Sequence, residues 1–344
     1  MKIKQMCMLV LLWLGVIPAM QAQTFDKLWK EVEQAEKKSL PQTVIKLTGE
    51  IYQKGEMEKN SPQMLKAYMW RMKYRDMLTP DSLYTGLQEL KQWAKQADKP
   101  MDRAILHSLI AGMYADYAAN NQWQLRQRTE IAGEAPSADM REWTANMFVE
   151  KVRTNVKEAM ADSVLLLNTS SRTYIPFVEL GETSEYYHHD MYHLLASRSI
   201  EALQRIQGLD RTTPIEAYSE ETSSEKESLV KQDIERIYDQ MLTSYKAKGD
   251  KEGCLLTSLN YLNWKHGTSK SFREPFRVKK GGTYMTFDPY ETGLDALKTE
   301  YKSLDLCAEV YLAQANNAIG KEQETVALQL CDEAIRLYPG YRRI

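Results

Sequence analysis

The run His188-His189-Asp190-Met191-Tyr192-His193 holds the densest set of side chains able to ligate a metal or move a proton. On a helix, His189 and His193 lie four residues apart on one face, the spacing at which two imidazoles share a metal ion. A zinc protease carries Glu directly after the first His as its general base. Here Asp190 stands in that place, followed by Met191, and no third ligand is evident. The competing reading is structural: histidines and tyrosines that hydrogen-bond to one another within a packed groove. An i,i+4 pair alone says little. No residue is therefore assigned to catalysis, cofactor binding or metal ligation, and no cofactor is expected.

Other constellations fare no better. His189-Asp190 with His107 upstream supplies the residue types of a histidine–aspartate phosphohydrolase, which is also all-α. That chemistry serves intracellular phosphoesters and suits an exported chain poorly. Lys270, Arg273, Arg277, Lys279 and Lys280 interleave with Phe272, Phe276 and Tyr284, a mix able to hold a nucleic-acid strand or an anionic glycan. On a slightly acidic chain a solvated loop is the simpler account. Asn168-Thr169-Ser170 fits a glycosylation sequon and has nothing further behind it. No Gly-rich phosphate loop, nucleophile elbow or paired catalytic carboxylate is present.

The elements that must position these residues read as helices. Phe25, Leu28, Val32 and Ala35 form a first apolar stripe; Leu40-Pro41, Ser61-Pro62 and Thr79-Pro80 each open a further helix. Proline is tolerated there because its missing N–H would be unpaired at a helix start anyway. Short polar connections imply helical hairpins. A longer helix is expected over 138–162, an extended stretch over 169–180, and another helix over 184–206. Residues 208–227 read as a polar linker, and Ser224 with Glu227 as a capping box for the next helix. Residues 265–289 break the pattern, with Phe276-Arg277-Val278 and Tyr284 to Phe287 able to pair as a short hairpin. The expected fold is all-α: antiparallel helical hairpins stacked as a solenoid, with one irregular insertion. Its parts are residues 23–207, the linker, and 228–344.

The 344 residues carry 45 Lys and Arg against 47 Asp and Glu, a formal charge of −2. Met1–Ala22 reads as a secretory signal, with Lys2 and Lys4 before an apolar run from Met6 to Ile17. Its removal takes two lysines and no acids, leaving a charge of about −4, which argues against nucleic acid as a partner. No second apolar segment is long enough to span a bilayer, so no bulk membrane insertion is expected. The expected location is periplasmic or associated with the cell envelope. Cys254, Cys307 and Cys331 remain, an odd and sparse set that reads as buried free thiols. A Cys307–Cys331 bridge is the alternative in an oxidising compartment.

Two resemblances add to this. Ala327, Cys331, Ala334 and Pro339, with Tyr311 and Ala315 before them, have the spacing of a tetratricopeptide helix pair. Gln314 and Cys331 depart from that pattern. The apolar face of such a repeat needs a neighbour, so a partner or further chain is expected to cover it. Leu328, Ile335 and Tyr338 are expected to form an exposed apolar stripe. The strings Thr173 to Gly181 and Ser184 to Leu195, with Phe25 to Val32 and Pro41 to Lys54, resemble the N-terminal helical region of bacterial alpha-2-macroglobulin-like proteins. That resemblance implies a secreted, non-enzymatic leader region of a protease inhibitor, cut short of its bait and inhibitory domains. Some members form a thioester between Cys and a Gln three residues on. Val310 and Ala334 occupy that place after Cys307 and Cys331 and have no acyl group to condense. The expected partner is protein: downstream domains of the same family or a periplasmic binding partner. The alternatives are a free-standing tetratricopeptide-type interaction module and a metal-dependent hydrolase.

Overall fold

Proline and side-chain caps set the helix starts. The structure, a computed structural model, describes residues 24–79, 82–128, 137, 139–181, 184–210, 228–273, 275–280 and 283–341. For Lys270, Ser271, Lys279, Lys280, Thr283 and Met285 only the backbone is described. Helices α1 (Phe25–Lys37), α2 (Pro41–Met57), α3 (Ser61–Leu78) and α4 (Ser82–Gln96) follow one another through short connections. Then come α5 (Pro100–Asn120), α6 (Gln122–Gln127), α7 (Ala145–Ala159), α8 (Ser163–Asn168) and α9 (Met191–Ile206). The chain continues with α10 (Leu229–Lys248), α11 (Lys251–Thr268), α12 (Lys270–Arg273), α13 (Pro289–Glu300), α14 (Ala308–Gly320) and α15 (Glu324–Leu337). Between α12 and α13, strands β1 (Phe276–Lys280) and β2 (Thr283–Phe287) pair antiparallel, with Phe276 opposite Phe287. The fold is all-α with this one ribbon inserted, as the sequence leads one to expect. The signal segment and most of the 208–227 linker, with its Ser224–Glu227 capping box, lie outside the described residues.

The chain divides into two compact units, one of residues up to Glu89 with Thr173–Glu179, the other Leu90–Arg172 with Leu180–Ile344. In the first, Leu28, Val32, Ala35, Val44, Ile51 and Ala67 are buried together, and Trp29 and Trp70 pack edge to face beside them at 6.0 Å. The larger of these, Leu28, Val32, Val44 and Ile51, contribute about 1.5–3 kcal/mol each. In the second, α5 packs on α7 and α9, α9 on α10, α10 on α11, and α14 on α15. Phe148 sits fully buried there between Tyr114, Tyr117 and Trp143.

One connection recurs. Ser39, Lys59, Gly249 and Glu322 each take positive φ, at 54°, 54°, 69° and 60°. Each follows a helix, and the next amide reaches back to close it: Leu40 N–H to Ala35 O, Asn60 to Gly55, Asp250 to Tyr245 and Gln323 to Ala318. This is the left-handed helix stop, for which glycine is the usual residue. Three of the four use other residues, so no glycine marks them in the sequence.

Four expectations need correction. The long helix begins at Ala145 rather than near 138, because Trp143 is buried and its indole donates to Ser137 O at 2.7 Å. Of residues 169–180 the start, Thr169–Ser170, is extended and bridges Asp190, but the chain then leaves that path: Ser171–Tyr174 forms a 3-10 turn, Ile175–Pro176 is cis, and Tyr174 and Val178 turn inward. Helix α9 starts at Met191 instead of near 184, capped by Asp190, whose carboxylate accepts from His193 N–H at 2.8 Å. Finally, Tyr338 is buried, at 6% exposure, and does not share the outer stripe. It lies just past the end of α15, where the backbone leaves helical geometry and turns its ring back onto Tyr311.

Candidate functional site

The histidine cluster is built by a backbone bridge and a helix cap. Ser171 N–H donates to His189 O and Met191 N–H to Thr169 O, both at 2.8 Å, which pairs Asp190 with Ser170 in an antiparallel bridge and leaves His189 outside α9, ahead of its cap. His189 and His193 therefore do not share a helical face. The two-imidazole site read from their spacing is not formed. Asp190 spends its carboxylate on the cap and on Lys248, whose ammonium donates to it at 2.6 Å. His193 stacks on Tyr187 at 4.1 Å and its Nδ1 is hydrogen-bonded to the Tyr245 hydroxyl. Burial holds the His193 imidazole down at about 4 and pushes the Tyr187 and Tyr245 hydroxyls up, so all three are neutral at neutral pH. His188 pairs with Asp250 at 3.3 Å.

His107 lies elsewhere, on α5, bonded through Nδ1 to Asn155 Oδ1 at 2.8 Å. No hydrogen bond or ring contact joins it to His189 or Asp190 among the described residues. Nor do the described residues include any group of three His, Cys, Asp or Glu placed to hold a metal. Asp190, His193 and His188 each have a partner, and what these three do is cap, stack and pair; the half-buried His189 imidazole has none among the described residues.

A different surface is open. Two adjoining cavities of about 510 and 650 Å³ share Asn260 and Asn263 of α11. The first reaches Tyr187, Tyr290 of α13 and Asn316 of α14; the second reaches Gln204 on α9. Helix α13 can come this close to α11 because Gly293 faces Leu262, where a Cβ would sit 2.8 Å from its methyl groups. Tyr290 donates its hydroxyl to Asn263 Oδ1 at 2.7 Å and stacks on His266 at 4.0 Å. The Asn260 amide is hydrogen-bonded to the Tyr187 hydroxyl. Asn260, Asn263 and Asn316 are all exposed, and Asn316 has no hydrogen-bond partner among the described residues.

The groove lining carries two carboxylates, Glu201 and Glu309, and no lysine or arginine. Burial lowers the His266 imidazole, and Glu309 accepts from the Tyr341 hydroxyl. Sequence reasoning passed over these asparagines because they match no catalytic pattern. A signal was present: asparagine is a poor helix former away from caps. Yet Asn260 and Asn263 lie three apart inside α11, and Asn316 lies inside α14.

The remaining candidates resolve simply. Cys254, Cys307 and Cys331 are free thiols, and burial raises the thiol pKa of Cys254 and Cys307, keeping them protonated and unreactive. In the basic loop Arg273 donates to Gly267 O at 3.1 Å, while Phe276 meets Phe287 at 5.1 Å. Asn168 ends α8 in an exposed position with its amide on Val164 O. On α15, Leu328 is 67% exposed and Ile335 53%, whereas Ala327 and Ala334 pack inward. No described helix is long and apolar enough to cross a membrane. No family model matches this chain, and no curated protein or solved structure compared with it is similar.

Proposed function

We propose that this chain is a non-enzymatic, secreted helical scaffold whose work is to bind protein. Its helix pairs are of a tetratricopeptide-like kind, and its strings at 173–181 and 184–195 resemble the N-terminal helical region of alpha-2-macroglobulin-like inhibitors. The observation that carries the reading is the contrast within the second unit: Asp190, His193 and His188 of the ionisable cluster are committed to partners, while an amide-rich groove across α9, α11 and α14 stays open. The recurring left-handed connection supports the repeat character, since it joins helices in the same way at four places.

The partner is either the downstream macroglobulin-type part of the same inhibitor or a separate envelope protein. The open groove favours the second, free-standing form of the scaffold as the alternative. A metal-dependent hydrolase has no observation in its favour.

The test is site-specific photo-crosslinking in the cell envelope, with p-benzoylphenylalanine placed at Asn263, at Leu328 and, as a control, at Lys30 on α1. One recurrent protein adduct at Asn263 or Leu328 and not at Lys30 is the expected result. Adducts indistinguishable from the control at both positions would remove the scaffold reading. A macroglobulin-type adduct selects the inhibitor form; any other recurrent protein selects the free-standing module.

A further inference from the structure

The three asparagines of the groove present different halves of an amide. Asn263 has its Oδ1 taken by Tyr290, which leaves its Nδ2 hydrogens to donate. Asn260 is held by Tyr187 through one side of its amide, and Asn316 offers both a donor and an acceptor. A main-chain peptide group is the complement of such a set, because it too carries one donor and one acceptor, at fixed separation and without charge. Few charges compete: Glu201 pairs with Arg205, and Glu309 is engaged by Tyr341.

A neutral sugar would use similar amides but would need an open aromatic face. The rings here are stacked on one another: Tyr187 on His193, Tyr290 on His266, and Tyr238 on Tyr261 at 4.7 Å. Small residues, Gly267, Ala313 and Gly320, keep the groove walls low where a chain would enter and leave.

We propose that this groove binds an extended peptide segment through its main chain, with Asn260, Asn263 and Asn316 as the positioning amides. The inference rests on the protein-binding reading and narrows it to one surface and one recognition mode. Main-chain recognition tolerates varied side chains, so the ligand is defined by extension and neutrality rather than by a sequence motif.

The probe is a fluorescein-labelled peptide selected on the full chain from a phage-displayed library of random dodecapeptides, with binding read by anisotropy. Asn260→Ala combined with Asn316→Ala is expected to weaken it by about tenfold or more, as the loss of two hydrogen bonds implies, with an unchanged thermal midpoint. Ala313→Arg, which fills the groove sterically, is expected to abolish binding without touching an asparagine. N-methylation of alternate peptide amides should weaken binding more than alanine replacement of the peptide's side chains. Selection of no peptide, equal binding by the double variant and Ala313→Arg, or retention of neutral oligosaccharides in place of peptides would each overturn the proposal. Crosslinks at Leu328 that persist while no peptide is selected would sink this proposal and leave the scaffold standing. Loss of both would end both.

Discussion

The histidine cluster and the asparagine groove lie in the same unit and meet at Tyr187, yet they have opposite characters. In the cluster most of the strong groups are committed: Asp190 to a helix cap and Lys248, His193 to Tyr245, His188 to Asp250. In the groove the asparagine amides are weak, neutral and partly uncommitted. Residue type is therefore a poor guide to which surface is available. Reactive side chains concentrated beside a helix start are readily absorbed into structure, because a buried charge or imidazole without partners costs more than it returns. Amides carry no such penalty at a surface and stay available.

The sharpest way to break this comparison is at Asp190. Asp190→Ala removes a cap and one end of an ion pair whose other end, Lys248, is exposed, and is expected to cost about 2 kcal/mol. Urea denaturation checks it; a loss below about 1 kcal/mol would mean Asp190 is not committed as described.

The terminal helix repeats the contrast on apolar residues. Tyr338→Glu introduces a charge where a buried ring packs on Tyr311 and donates to Lys302 O at 3.1 Å. It is expected to destabilise by about 3 kcal/mol, as large core losses do. Leu328→Glu, on the exposed face, should leave the thermal midpoint nearly unchanged and lower any tendency to associate. Equal melting of the two variants would contradict the placement of Tyr338.

A pH series sharpens the role of His193. Its imidazole titrates near 4 in the folded chain because burial disfavours the charged form, against about 6.5 when unfolded. The unfolded state thus takes up a proton that the native state refuses. The stability at stake is complete above pH 6.5 and is lost progressively as pH falls toward 4, amounting to about 2–3 kcal/mol. His193→Gln should flatten this part of the profile. Parallel profiles for the two proteins between pH 7 and 4.5 would show that His193 does not titrate as described.

The smallest effect is expected in the groove. Asn316→Ala should change stability by less than about 0.5 kcal/mol, since the side chain is exposed and unpartnered among the described residues. A larger loss by chemical denaturation would place Asn316 in the structural network and erase the distinction between the two regions.

Much of the fold is legible in the residues themselves. The stripes Leu28-Val32-Ala35 and Val230-Ile234-Ile237-Met241-Tyr245 are buried where their helical period puts them. Pro41 opens α2, Pro62 lies in the first turn of α3, and β1 pairs with β2. What sequence reading misses has specific causes. Helical period carries no information about where a cap interrupts it, so Asp190 and Trp143 moved two helix starts. The positive-φ connections at Ser39, Lys59 and Glu322 are invisible because their residue types are ordinary. Tyr338 was misplaced by extending helical geometry one residue beyond the end of α15.

By itself the sequence determined the class of fold, the apolar faces and most helix starts, because these follow from local periodicity and from proline and capping chemistry within a few residues. Only the tertiary structure decided which polar groups are spent and which remain. The partners of Asp190 and His193, at Lys248 and Tyr245, lie more than fifty positions away along the chain. The groove forms where α9, α11 and α14 come together. Hydrogen-bond satisfaction is settled among residues distant in sequence, and local pattern does not encode it.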